Sequence, residues 1–159
     1  MSIYLFFALS IFTNIYAPSD NKQYIKNYYE NGIIKSEGWL VNNYKSGYWK
    51  FYTQNANLSS KGPFKNNKKN GYWYFFDEGA NLKKEGHFVN GSAENWWIFY
   101  EIGTPYKSKI QFESNKKNGY ALCYKNNNLI RAEKYKNDLK TGTWTSISAF
   151  KQDNPDASF

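Results

Sequence analysis

Apolar and polar residues alternate along most of this chain. In Gly47-Tyr48-Trp49-Lys50-Phe51-Tyr52, an extended backbone sends Trp49 and Phe51 to one side and Tyr48, Lys50 and Tyr52 to the other. Farther on, Leu58, Ser60, Gly62 and Phe64 share a side, with Ser59, Lys61, Pro63 and Lys65 opposite. A period of two, in aromatic-rich runs bounded by Asn, Gly and Lys clusters, predicts strands joined by tight turns. No stretch carries an apolar stripe at helical spacing, so the expected class is all-β.

The pattern repeats. Gly47-Tyr48-Trp49 recurs as Gly71-Tyr72-Trp73, Asn95-Trp96-Trp97, Gly119-Tyr120-Ala121 and Gly142-Thr143-Trp144, at spacings of 24, 24, 24 and 23 residues. Each unit reads as a hairpin, with one turn near residues 53–57 and the next near 66–70. Tandem units predict an elongated, single-layer antiparallel meander of about five hairpins over residues 18–145. Two strands per unit advance the sheet by about 10 Å, for a length of roughly 45–50 Å. Residues 146–159 leave the repeat and are expected to form a C-terminal cap and a frayed tail.

A meander without a second layer must build its apolar face from large side chains within the sheet. The expected core is therefore one face carrying Trp49, Phe51, Phe64, Trp73, Phe75, Phe88, Trp97, Phe99 and Trp144. Trp49, Trp73 and Trp97 are expected to stack a unit apart and cover Gly62 and Gly86 on neighbouring strands, where glycine permits close ring approach or a bulge. Ala121 and Cys123 replace a Trp and a Phe, which makes the fourth unit the expected weak link.

At Gly47-Tyr48-Trp49-Lys50-Phe51-Tyr52, followed by Leu58 and Gly62-Pro63-Phe64, the chain resembles the MORN-repeat variant of bacterial YwqK-type antitoxin-like proteins. The likeness covers residues 28–145, and Asn31-Gly32 in the first hairpin turn also fits it. It implies a β-hairpin array used as a scaffold or binding surface, and an antitoxin that neutralises a toxin by protein–protein binding. Asn95, Ala121 and Cys123 depart from the pattern.

Composition narrows the task. With 159 residues the chain holds one ordinary domain, and its aromatic content of 21% argues against disorder. A single Cys and a single His exclude a disulfide framework and a Cys/His zinc site. The net charge of +8 suits weak attraction to polyanions, although Asn, Lys, Tyr, Ile and Phe are all favoured by A/T-rich codons. Residues 3–17 are apolar and uncharged, too short to span a bilayer, and read as a signal peptide or short anchor. That predicts an exported protein, cytoplasmic only if the segment is not a signal.

No catalytic constellation emerges, and neither a cofactor nor a metal site is expected. His87 lacks a Cys or Asp partner, and Cys123 sits in a Phe slot, where a small buried apolar residue is expected. The second turns concentrate lysines, including Lys68, Lys69, Lys116 and Lys117, whereas the first turns carry Glu30, Asp77, Glu78 and Glu101. One sheet edge should thus be basic and the other acidic. The face opposite the core interleaves Tyr48, Tyr72, Trp96 and Tyr120 with lysines, and aromatic rows beside cations can anchor a ligand. These residues are the candidate binding site. The expected partner is a protein first, an anionic lipid or glycan surface second, and nucleic acid is disfavoured.

Overall fold

The structure is a computed structural model that describes residues 21–157. The apolar segment 3–17 lies outside the described residues. The strands are β1 (Lys22–Tyr28), β2 (Ile34–Val41), β3 (Tyr44–Tyr52), β4 (Leu58–Lys65), β5 (Lys68–Lys69), β6 (Gly71–Phe76), β7 (Leu82–Val89), β8 (Ser92–Tyr100), β9 (Tyr106–Glu113), β10 (Lys116–Lys125), β11 (Asn128–Lys136) and β12 (Leu139–Trp144). They form one antiparallel sheet in chain order, with the short β5 pairing back on β4. A helix, α1 (Ile147–Asp153), follows the last strand. At seven residues it is too short to show an amphipathic stripe; Ser146 caps it by accepting from the Ala149 N–H at 3.4 Å.

The second turns are tighter than expected. Lys68 and Lys69 are strand residues, and the turn between β4 and β5 is only Asn66-Asn67. Both its residues have positive φ, 50° and 64°, the conformation of a type I′ hairpin turn. Asn42-Asn43, Ser114-Asn115 and Asn137-Asp138 repeat it. Asparagine is the non-glycine residue that best tolerates this region, so its abundance has a physical role beyond codon usage. The same side chains also zip the edge. Asn67 donates its N–H to the Lys45 carbonyl at 3.0 Å, and its Oδ1 accepts from the Lys45 N–H at 2.6 Å. Asn115 does this to Ala93, and Asp138 to Lys117.

Between turn and core, each unit carries a bulge. Pairing runs from Trp39↔Ser46 to Glu37↔Lys50, so two extra residues enter β3. An even insertion preserves which face each side chain takes. The leading residue of each motif makes the bulge by taking positive φ: Gly47 at 67°, Gly71 at 102°, Asn95 at 61° and Gly119 at 105°. Asn95 thus replaces glycine without changing the geometry.

Trp49, Trp73 and Trp97 do share one column on one face, with relative exposures of 0, 0 and 3%. They do not stack directly on one another. Phenylalanines intervene, Phe64 standing edge-on to Trp73 at 5.0 Å and Phe88 edge-on to Trp97 at 4.9 Å. Phe51 and Phe75 fill the remaining gaps, and Phe99 closes the series on Phe112. Each indole lies flat against a glycine of the preceding strand: Trp49 on Gly38, Trp73 on Gly62, Trp97 on Gly86. A Cβ at any of the three would come too close to a ring carbon to coexist with the indole. Each indole N–H then donates to the carbonyl just after that glycine, of Trp39 at 3.0 Å, Pro63 at 2.9 Å and His87 at 3.2 Å. Lysines close the top: Lys45 Nζ lies 4.8 Å from the Trp49 ring and Lys69 Nζ 4.6 Å from that of Trp73.

The fourth unit is repacked. Ile110 stands where the glycine was and pairs with the small, buried Ala121, so the sizes are exchanged across the strands. The core then changes sides. Leu122, on the opposite face, is fully buried with Ala132 beneath Phe150 of α1. Trp144 follows it there and leaves the tryptophan column. Between β11 and β12 the pairing passes from Tyr135↔Lys140 to Lys134↔Gly142, an insertion of one residue instead of two, and Gly142 lacks positive φ. An odd insertion flips the strand, which sets Trp144 edge-on to Phe150 at 5.3 Å.

Changing Gly62 to Ala should lower unfolding free energy by about 1–3 kcal/mol, because the new Cβ displaces the Trp73 ring and its hydrogen bond. The double variant Gly62→Ile with Trp73→Ala, which copies the fourth unit, should cost less than the sum of its single changes. Urea denaturation of the four proteins in this cycle measures the coupling, and strict additivity would contradict the packing.

Candidate functional site

The bulges carry one aromatic row across the face opposite the tryptophan column. Tyr24 pairs with Trp39, Tyr48 with Pro63, Tyr72 with His87, Trp96 with Gln111 and Tyr120 with Lys134. Beside it runs a second row in which Lys26 faces Glu37, Lys50 faces Lys61, and Tyr74 faces Glu85. Lysines lie over the rings. Lys22 Nζ is 4.5 Å from the Trp39 ring centre, Lys61 is 5.1 Å from Tyr74, and Lys109 is 4.6 Å from Trp96. Such contacts contribute about 0.5–1 kcal/mol each at exposed sites.

The glutamates of this face are occupied internally. Glu37 Oε1 accepts from the Tyr52 O–H at 2.7 Å, and Glu85 Oε1 accepts from the Tyr100 O–H at the same distance. Lys26 and Lys50 approach Glu37 at 3.9 and 3.8 Å. The Tyr52 hydrogen bond holds the Glu37 carboxyl below its ordinary range, against the opposing effect of burial, with help from Tyr24 and the two lysines. Burial first, then the Glu37 carboxylate, pushes the Tyr52 phenol up to about 12. Burial and Glu85 raise Tyr100 in the same way. What the face offers a visitor is therefore rings and ammonium groups.

The candidate residues divide by position along the sheet. Tyr48 is open, 47% exposed, and with Tyr24 and Trp39 it forms a patch uncovered among the described residues, whose two N-terminal rings sit 5.1 Å apart edge to face. Tyr72 is half-buried between Tyr74 and His87. Trp96 lies at the border of the region covered by α1. Tyr120 is not available: its ring packs on Phe150 at 5.3 Å and its O–H donates to Asn154 Oδ1 at 3.1 Å. Here α1 acts as an internal occupant of the face. It brings an apolar ring, the Asp153 carboxylate accepting from the Trp144 indole N–H at 2.8 Å, and the Asn154 amide accepting from Lys134 Nζ at 3.4 Å.

The lysines divide too. Lys68 and Lys116 are exposed beside the turns, as a basic edge requires. Lys69 is not: it caps Trp73, Phe75 and Phe88, and burial, with Lys84 nearby, lowers its pKa. Lys117 likewise turns onto the Tyr135 ring at 5.0 Å. The basic edge is thus narrower than the sequence pattern implies, and half of its named lysines belong to the packing of the column face.

Cys123 departs from its expected buried apolar setting. It is half-exposed, with its Sγ 3.4 Å from Arg131 Nη2 and 3.7 Å from Ser108 Oγ. The thiol, ahead of Glu133, raises the Arg131 pKa. His87 shares its row with Tyr72, its ring 6.0 Å away, and its carbonyl serves the Trp97 indole. Among the described residues no three or more His, Cys, Asp or Glu side chains are grouped to hold a metal ion. No protein-family profile and no curated protein matches this chain.

Glu37 and Tyr52 give a pH signature. Because folding lowers the Glu37 pKa, its stabilisation is present above the unfolded value near 4.5 and is lost as pH falls through the folded one. Because folding raises that of Tyr52 from 10.0 to about 12, its stabilisation is full below pH 10 and is lost as pH rises toward 12. Tyr52→Phe should move the acid unfolding midpoint upward, reduce the alkaline loss, and cost about 1 kcal/mol at neutral pH. Circular dichroism against pH at fixed urea reads all three, and an unchanged acid limb would contradict the pairing.

Proposed function

We propose that the protein is a non-catalytic scaffold that binds another protein through the open, N-terminal part of its aromatic and lysine face. The observation that carries this reading is the uneven covering of one continuous surface. At its C-terminal end the face is occupied by the chain's own α1, whereas Tyr24, Trp39 and Tyr48 carry no such cover among the described residues. Exposed rings grouped with cations are the kind of surface that anchors a partner, through large rigid groups that lose little conformational entropy. The uncompensated lysines add electrostatic steering toward an acidic partner.

The YwqK-type likeness supports the same class of role with a toxin as the bound protein. Export rests on the apolar segment 3–17 alone. An envelope or glycan surface is the second reading, favoured by the cation-flanked rings of Trp39 and Trp96.

Affinity capture from matched soluble and envelope fractions tests the proposal with wild type and the variant Trp39→Ala/Tyr48→Ala. One dominant protein should be captured by the wild type and lost from the variant while the melting temperature stays within a few degrees. Capture that is indifferent to both rings would overturn the assignment of the face, and retention on polysaccharide instead would select the second reading.

A further inference from the structure

The sheet is open, so it has two edges, and they differ. At the C-terminal edge, β12 is short, interrupted at Gly142 by the one-residue insertion, and flanked by α1. Bulges and covering elements are the usual protection of an edge strand. At the other edge β1 runs seven residues and pairs only with β2 among the described residues. Its one irregularity falls at its end, between Asn27 and Tyr28. Every second backbone N–H and C=O along β1 therefore points away from the sheet.

The sequence of that edge, Lys22-Gln23-Tyr24-Ile25-Lys26-Asn27-Tyr28, is self-complementary when read against its own reverse. We propose that β1 pairs antiparallel with β1 of a second copy about a two-fold axis at Ile25. In that register Lys22 of one copy lies opposite Tyr28 of the other, and Tyr24 opposite Lys26, so each ammonium meets a ring on the aromatic face. On the column face Ile25 meets Ile25, and Gln23 meets Asn27. Moving the axis by one residue, to Tyr24 or to Lys26, sets lysine against lysine, a repulsion that selects the Ile25 register. Tyr24 and Tyr28, the rings this register sets against lysines, are 44% and 56% exposed. The dimer would join two sheets into one and double the uncovered patch of Trp39 and Tyr48 across the axis. A seven-residue edge buries less than a standard interface, so the association should be weak and concentration-dependent.

Sedimentation equilibrium of the full chain over a wide concentration range is the first test, with the apparent mass expected to rise from 18.7 kDa toward twice that value. Tyr24→Lys, which opposes Lys26 of the second copy, and Ile25→Lys, which opposes itself, should each keep the protein monomeric with an unchanged circular dichroism spectrum. The register is read by cysteine. In a Cys123→Ser background, Ile25→Cys should cross-link to itself on mild oxidation, since opposed Cα atoms of an antiparallel pair lie about 4.5–5.5 Å apart, within disulfide reach. Gln23→Cys should cross-link only when mixed with Asn27→Cys. A monomer at every concentration would overturn the proposal. So would a dimer that survives both lysine variants, or one that cross-links through residue 23 alone.

Discussion

An indole laid on a glycine is the contact from which the rest of this structure follows. A one-layer sheet has no opposing surface to bury a tryptophan, and an ordinary side chain on the neighbouring strand would hold the ring away from the backbone. Gly38, Gly62 and Gly86 remove that obstacle, so Trp49, Trp73 and Trp97 lie flat on the main chain and become buried within a single sheet. The hydrogen bond from each indole to the next carbonyl fixes the ring's direction as well as its depth. Phenylalanines between the indoles and lysine stems above them complete a core that is one side chain thick. Where Ile110 and Ala121 exchange the sizes, the flat ring is no longer possible, and the protein supplies a second layer, α1, on the other side.

The candidate binding face is a by-product of that solution. Two-residue bulges keep the strand parity constant, so every unit sends its tyrosine or second tryptophan away from the column. The row from Tyr24 to Tyr120 is therefore continuous across the sheet. The one-residue insertion between β11 and β12, at Lys134 and Gly142, turns Trp144 onto the face that carries Tyr120, and with it the last helix. The boundary between the covered and uncovered parts of the row is thus set by the size exchange at Ile110 and Ala121 and by one missing bulge residue, not by a change in the row itself.

The period, the hairpins and the tryptophan column were legible in the sequence because they depend on alternation and on a spacing of 24, both of which survive substitution. The frame of Trp144 was not, because its slot in the repeat is intact and only the size of the insertion before it differs. The meaning of the asparagines was hidden for another reason. Their number fits codon bias equally well, and only the positive φ values at Asn66 and Asn67, with the bonds from Asn67 to Lys45, show what they do. Lys69 looked like part of an exposed edge because a two-residue turn and a five-residue turn read alike in a run of Asn and Lys. Once the turn ends at Asn67, alternation puts Lys69 on the column face. The helix is not legible in the sequence because seven residues cannot display a helical period.

The most direct measurement of the central claim is hydrogen exchange of the indole N–H groups by NMR. Trp49, Trp73 and Trp97 should give three indole protons that exchange slowly and lose protection together on unfolding, while that of the open Trp39, 38% exposed, exchanges fast. Fast exchange at any of the three, or protection lost separately in each unit, would contradict a core built of rings seated on glycine.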